Sequence, residues 1–167
     1  MEIREYSDGD WNDVWGILKS VFQAGDTFPN SPDTNEQEAW DYWIKRPKNT
    51  FVAIVAIVAI VDSKVVGSYH LKDNQSGLGS HVANAGYIVS PTFRGFGVGY
   101  KLAQHSIDHA VSTGYFALQF NLVVSTNNAS IALWDKLGFQ IVGTLPKAFN
   151  HTQKGFVDAY VMFKWLV

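Results

Sequence analysis

The sequence predicts an α/β fold: one domain over residues 1–167, with a mixed, mostly antiparallel central sheet of about seven strands flanked by about four helices. Three observations predict it. Apolar periodicity switches between the strand period and the helix period in the order β-α-α-β-β-β-α-β-α-β-β. Residues 87–112 read as a strand, a glycine-rich turn and a long amphipathic helix in direct succession. No linker or shift of composition divides the chain, whose 167 residues suit one domain with a sizeable core.

Residues 3–6 form a short first strand, and Ser7 or Asp8 can cap the helix that follows. Trp11, Val14, Trp15, Leu18, Val21 and Phe22 lie on one face of that helix. Residues 25–32, with Gly25, Pro29 and Pro32, are a loop. A second helix runs over residues 34–46 with Trp40, Trp43 and Ile44 as its apolar side, closed by Pro47. Residues 51–61 contain Val-Ala-Ile three times over and read as a long central strand, bulged or overhanging. At about 3.3 Å per residue it would span about 36 Å, longer than most strands. The alternative is an interface for a second subunit. Asp62-Ser63-Lys64 turns into a third strand over 65–71, residues 72–80 are a polar loop, and 82–89 is the fourth strand. A helix over 98–113 is ended by Gly114. Residues 115–124 form the fifth strand, 129–137 a short helix stopped by Gly138, 139–143 a sixth strand, 145–155 a loop and 156–164 the last strand.

Composition excludes several classes. The 13 basic and 15 acidic side chains are mixed along the chain, with a net charge of −2, so there is no basic patch for nucleic acid. The absence of cysteine removes disulfides, thiolate metal sites and a cysteine nucleophile, and no metal is expected. The first residues do not read as a signal peptide, and the longest apolar run is too short to span a membrane, so a cytoplasmic protein is the expectation.

Chemistry concentrates at Val89-Ser90-Pro91-Thr92-Phe93-Arg94-Gly95-Phe96-Gly97-Val98-Gly99. Glycines let backbone N–H groups approach a ligand closely, and the following helix start adds unpaired donors and a positive dipole end, together a site for phosphate or pyrophosphate. A tight turn without ligand is the simpler alternative. Lys101 has the wrong offset for a P-loop, and the third glycine has the wrong spacing for a dinucleotide fingerprint. Arg-x-x-Gly-x-Gly, here from Arg94 to Gly99 and preceded by Val89 and Pro91, resembles the pyrophosphate arm of the GNAT acyl-CoA N-acetyltransferases. Asn127-Asn128-Ala129 through Leu133-Trp134 to Gly138-Phe139 resembles the second signature of that family, at the required distance and in the required order.

The resemblance implies the GNAT fold with strands four and five splayed, and acetyl-CoA as co-substrate. It places the pantetheine arm against Tyr87, Ile88 and Val89, and the pyrophosphate on Arg94, Gly95, Phe96, Gly97, Val98 and Gly99. It puts Asn127 on the cofactor arm, although Asn127 is also a natural helix cap. The implied reaction is direct attack of an amine on the thioester, with backbone N–H groups near Val89 polarising its carbonyl. A homodimer follows by analogy only.

The chain departs from the family pattern at two places. Trp134 stands where many members carry a tyrosine that protonates the thiolate, and an indole cannot serve so. The fourth strand carries no glutamate base, which leaves His81 as the titratable candidate near it, or water as the proton carrier. Asn84, Asn121, Asn127 and the stretch around Trp134 are similar to the yeast L-azetidine-2-carboxylate N-acetyltransferases, which acetylate proline-like imino acids and have a longer N-terminal region. That similarity, over residues 80–146, implies that Asn84 and Asn121 serve the acceptor site. Two amides can donate to a carboxylate, or bond each other or the backbone across the splay. The expected partner is therefore a small amine or imino acid. The alternatives are a peptide N-terminus, a polyamine or a drug, with Asp26, Asp33, Glu36 and Glu38 as candidate cation contacts, and a CoA-binding module without catalysis.

Overall fold

The computed structural model describes residues 1–46, 57–61 and 64–167. Pro47, residues 51–56 of the Val-Ala-Ile repeat and the Asp62-Ser63 turn lie outside the described residues. Among the described residues seven strands form one sheet in the order β1-β2-β3-β4-β5-β7-β6. They are β1 (Glu2–Glu5), β2 (Ile57–Val61), β3 (Lys64–Asp73), β4 (Val82–Val89), β5 (Ala117–Val124), β6 (Gln140–His151) and β7 (Gly155–Trp165). Among the described residues only β4 and β5 pair in parallel; the other neighbours are antiparallel. Among the described residues no helix is long and apolar enough to cross a membrane.

Helices cover both faces of the sheet. On one face lie α1 (Trp11–Ala24) and α2 (Glu36–Trp40), and on the other α3 (Val98–Ser112) and α4 (Asn128–Lys136). The spacing of Val14, Leu18, Val21 and Phe22 buries one stripe of α1 against Trp43, Ile44 and Ile88. Leu102, Ala103 and Ala110 of α3 pack with Val66, Tyr69, Leu118 and Phe120 on the opposite face. Helix α2 starts at a capping box, in which the Asn35 side chain accepts from the Glu38 N–H and Glu38 accepts from the Asn35 N–H, both at 3.0 Å. It does not continue as a plain α-helix to residue 46: Asp41–Lys45 is a π turn, which resets the direction in which Tyr42 and Trp43 project.

Asp10 joins β1 to α1. The Arg4 guanidinium donates twice to its carboxylate at 2.7 Å, and the Ser7 N–H and hydroxyl donate at 2.8 and 2.9 Å. The Arg4 bond, then the Ser7 donors, hold the Asp10 carboxyl down to about 2. The ionised form is the one stabilised, so this contribution is complete above pH 4 and is lost as pH falls towards 2. With the exposure of Arg4 discounted, Asp10→Asn is expected to cost about 1–2 kcal/mol at pH 7. Urea denaturation of both proteins should show the difference narrowing below pH 4; a difference independent of pH would rule the carboxylate out.

The 145–155 segment, expected as a loop, is instead strand: β6 runs on to His151 and pairs with β7 as far as His151 opposite Gly155. A register shift between Leu145 and Phe149 breaks the alternation there, with Lys147 at φ 53° and its N–H donating to Asp158 Oδ1 at 2.9 Å. The hairpin tip docks on the end of α1 through the Thr152 hydroxyl to the Ala24 carbonyl at 3.0 Å and the Thr152 N–H to the Gly25 carbonyl at 3.2 Å. The 72–80 segment begins in β3, which carries Lys72 and Asp73, before a short 3-10 turn at Gly77–Gly79.

Candidate active site

Strands β4 and β5 pair only at Val82 with Ala117, Ala83 with Leu118 and Asn84 with Gln119. Beyond Asn84 they separate. The edge of β4 from Ala85 to Val89 that faces β5 therefore has unpaired backbone groups. Trp134 wedges the gap: it is buried, with its ring centre 4.3 Å from Phe120 and 4.8 Å from Tyr87. So the indole that replaces the expected tyrosine packs as part of the wall. The Tyr87 hydroxyl meets Ser106 Oγ at 2.7 Å, and burial keeps that phenol protonated far above its ordinary range.

A cleft of about 1170 Å³ runs through this gap from one face of the sheet to the other. One half is bounded by Tyr87, Ile88, Val89, Arg94, Gly95, Gly97, Val98, Gly99 and Asn127. Gly95 and Gly97 have φ of +83° and +79°, a conformation open to glycine, and a Cβ on either would meet no atom within 4 Å. The N–H groups of Gly95, Phe96 and Gly97 reach no backbone acceptor among the described residues, and they precede the start of α3. This cradle fits a pyrophosphate. Arg94 beside it is exposed and has no ion pair among the described residues. Asn127 caps α4, its side-chain oxygen accepting the Ser130 N–H at 3.2 Å.

Two expected site residues do not reach the cleft with their side chains. Phe96 points to solvent, 77% exposed, and offers only its backbone. His81 lies at the far end of β4, exposed, with Nδ1 3.1 Å from the Leu78 carbonyl oxygen and its ring against Phe116. It stands before the point where the strands part, so its position at the strand start separates it from the gap.

The other half of the cleft collects groups from five places: Asp26 and Phe28 after α1, Tyr42 on the π turn, His70 and Lys72 on β3, Asn84 and Asn121 at the splay, and His151, Gln153 and Lys154 on the β6–β7 hairpin. Asn84 donates through Nδ2 to the Gln119 carbonyl at 2.9 Å, bridging the strands where pairing ends. Asn121 donates to Asn74 Oδ1 at 2.7 Å and accepts from Gln119 Nε2 at 2.8 Å. Each amide therefore spends one N–H on the protein and retains a second. Lys72 is the register partner of Asn84, so both side chains leave the same face of the sheet, and Lys72 has no ion pair among the described residues. Asp26 Oδ1 is buried without a hydrogen-bond partner among the described residues.

His70 is 3% exposed, and both ring nitrogens lack a partner among the described residues. Its ring stands edge-on to Trp43 at 4.6 Å, and burial, then the Lys72 charge, push it down to about 3. An orphaned buried polar group costs about 1–3 kcal/mol, which ordinary packing does not leave uncompensated. His70 and Lys72 line the cleft, and sequence reasoning missed both. Their signal was Ser68-x-His70-x-Lys72, polar side chains on one face of an otherwise apolar strand. Of the four acids proposed for cation binding, only Asp26 lines the cleft. Glu36 accepts the Trp11 indole N–H at 2.9 Å, and Glu38 closes the α2 cap.

Comparison with known proteins agrees with this architecture. The profile described as Acetyltransferase (GNAT) family matches residues 11–139. N-acetyltransferase aca1 of Schizosaccharomyces pombe is 31% identical, over 87% of this chain and 75% of that protein. A GCN5-related N-acetyltransferase from Kribbella flavida superposes with a TM-score of 0.92 at 36% identity, covering 99% of this chain and 97% of that one. The yncA structure from Salmonella typhimurium, which holds its cofactor acetyl-CoA, shares the fold with a TM-score of 0.84 at 23% identity, covering 100% and 94% of the two chains. With the splayed strands, the glycine cradle and both signatures in place, the chain belongs to the acetyltransferase (GNAT) family.

Proposed function

We infer that the protein transfers the acetyl group of acetyl-CoA to the amine of a small amino or imino acid, such as a proline analogue, with both molecules bound at once. Bound acetyl-CoA supplies a thioester carbon open to attack. The glycine cradle and Arg94 would hold its pyrophosphate, and the unpaired edge of β4 would hydrogen-bond its arm and polarise the thioester carbonyl near Val89. Positioning the amine against that carbon is the larger part of the catalysis, because it replaces a bimolecular encounter.

The observation that carries the acceptor class is the charge arrangement across the sheet. Lys72 and Asn84 stand side by side in register, while Asp26, which lines the same cleft, has an oxygen buried without a partner among the described residues. A cation with an amide donor suits a carboxylate, and an anion suits an ammonium, so the pair complements a zwitterion. A polyamine would leave Lys72 opposed to a like charge.

A thiol-release assay over amino acids, imino acids, their amides, polyamines and peptides tests this. Free amino or imino acids such as azetidine-2-carboxylate should be acetylated in preference to their amides and to polyamines. Lys72→Met should raise KM for the acid acceptor about tenfold or more and leave KM for acetyl-CoA unchanged. Preference for a polyamine or peptide would reject the acceptor class. Tight acetyl-CoA binding without release to any amine would favour a CoA-binding module.

A further inference from the structure

The family's usual base position on β4 holds no carboxylate, and His81 is outside the cleft. A histidine nonetheless lines the cleft from the neighbouring strand. His70 is the register partner of Gly86, and its Nε2 is the atom nearest to where a Gly86 side chain would begin, 2.6 Å from that Cβ position. Any residue other than glycine at 86 would collide with the imidazole. We propose that His70 Nε2, set against the bare backbone of Gly86, accepts the proton that the attacking amine loses. This rests on the acetyl-transfer reading above.

The proton balance is simple. The acceptor's ammonium first gives one proton to water; the amine lone pair then forms the C–N bond, the C–S bond breaks with its electrons leaving on sulfur, and a second proton passes from the nitrogen to Nε2 and on to the thiolate, giving an amide and a thiol. Burial keeps the imidazole neutral, so its lone pair is available throughout the physiological range. An N–H becomes far more acidic once the nitrogen has shared its lone pair, and the departing thiolate offsets the burial that disfavours the imidazolium. The charged and titratable groups lining this part of the cleft are Lys72 on β3, Tyr42 on the π turn, Asp26 after α1, and His151 and Lys154 on the hairpin.

The test is His70→Ala assayed with the parent's best acceptor. We expect kcat to fall about 100-fold or more with KM for acetyl-CoA unchanged. Added azoles should restore activity in order of their basicity, which refilling a hole would not require. Gly86→Ala, which crowds Nε2 while keeping His70, should also depress kcat, and it decides the matter if His70→Ala fails to fold. A kcat within about tenfold of the parent in the folded variants, or rescue indifferent to azole basicity, overturns the proposal. A parent protein that prefers an amine lacking a carboxylate overturns only the acceptor class, and the variants are then read with that amine. A parent that releases no CoA with any amine overturns acetyl transfer and this inference with it.

Discussion

Gly97→Val is expected to weaken acetyl-CoA binding by about 100-fold or more while the protein remains folded. Gly97 has φ +79° at the N-terminus of α3, where a β-branched residue is strained by about 1–2 kcal/mol or more. The valine would also stand in the open space that the cradle keeps for the ligand, and a lost hydrogen bond to a charged group costs a further 1.5–3 kcal/mol or so. The exposed turn relaxes in the free variant and meets the strain again on binding, so the two effects sum to about 3 kcal/mol or more, which is a factor of at least 100. No atom lies within 4 Å of the added Cβ, so the core is untouched and the melting temperature should barely move. Titration calorimetry with acetyl-CoA reads the result directly. Normal affinity in this variant would remove the turn from the binding site.

Trp43→Ala carries the largest expected loss of stability. Trp43 is fully buried, packed against Phe28 at 5.9 Å and His70 at 4.6 Å, and its indole N–H donates to Ser68 Oγ at 3.0 Å. Truncation removes the ring, leaves a cavity and strands the hydroxyl of a fully buried serine. The cost should be about 3–5 kcal/mol, a large share of the roughly 5–15 kcal/mol that holds a domain folded. The melting temperature should drop by about 10 °C or more. Because Trp43 backs His70, the acceptor half of the cleft should loosen first. Denaturant unfolding with an unchanged m-value gives the free energy, and a loss under about 1 kcal/mol would show that the indole is not a keystone of this core.

The half of the cleft proposed for the cofactor is legible in the sequence because its residues are contiguous. A strand, three alternating glycines and a helix start are contiguous in sequence, so the anion cradle from Arg94 to Gly99 could be read without knowing what packs around it. The acceptor half is non-local. Asp26, Tyr42, His70, Asn84 and Gln153 come from separate elements, and no spacing links them. The hairpin tip that closes this half has the pattern of a loop in sequence, since a register shift and Lys147 at positive φ interrupt its alternation.

The two histidines show the division most clearly. His81 is next to β4 in sequence, yet it lies where β4 and β5 are still paired. His70 is sixteen positions from Gly86, yet it is Gly86's neighbour in space. Alternation along a strand tells which side chains share a face, and that much is written in the chain, together with the order of elements, the family signatures and the glycine-rich turn. Which residue stands opposite which depends on the register between strands and on where the loops return. Those are set by packing over the whole sheet, so only the tertiary structure placed His70 and Lys72 beside Gly86 and Asn84.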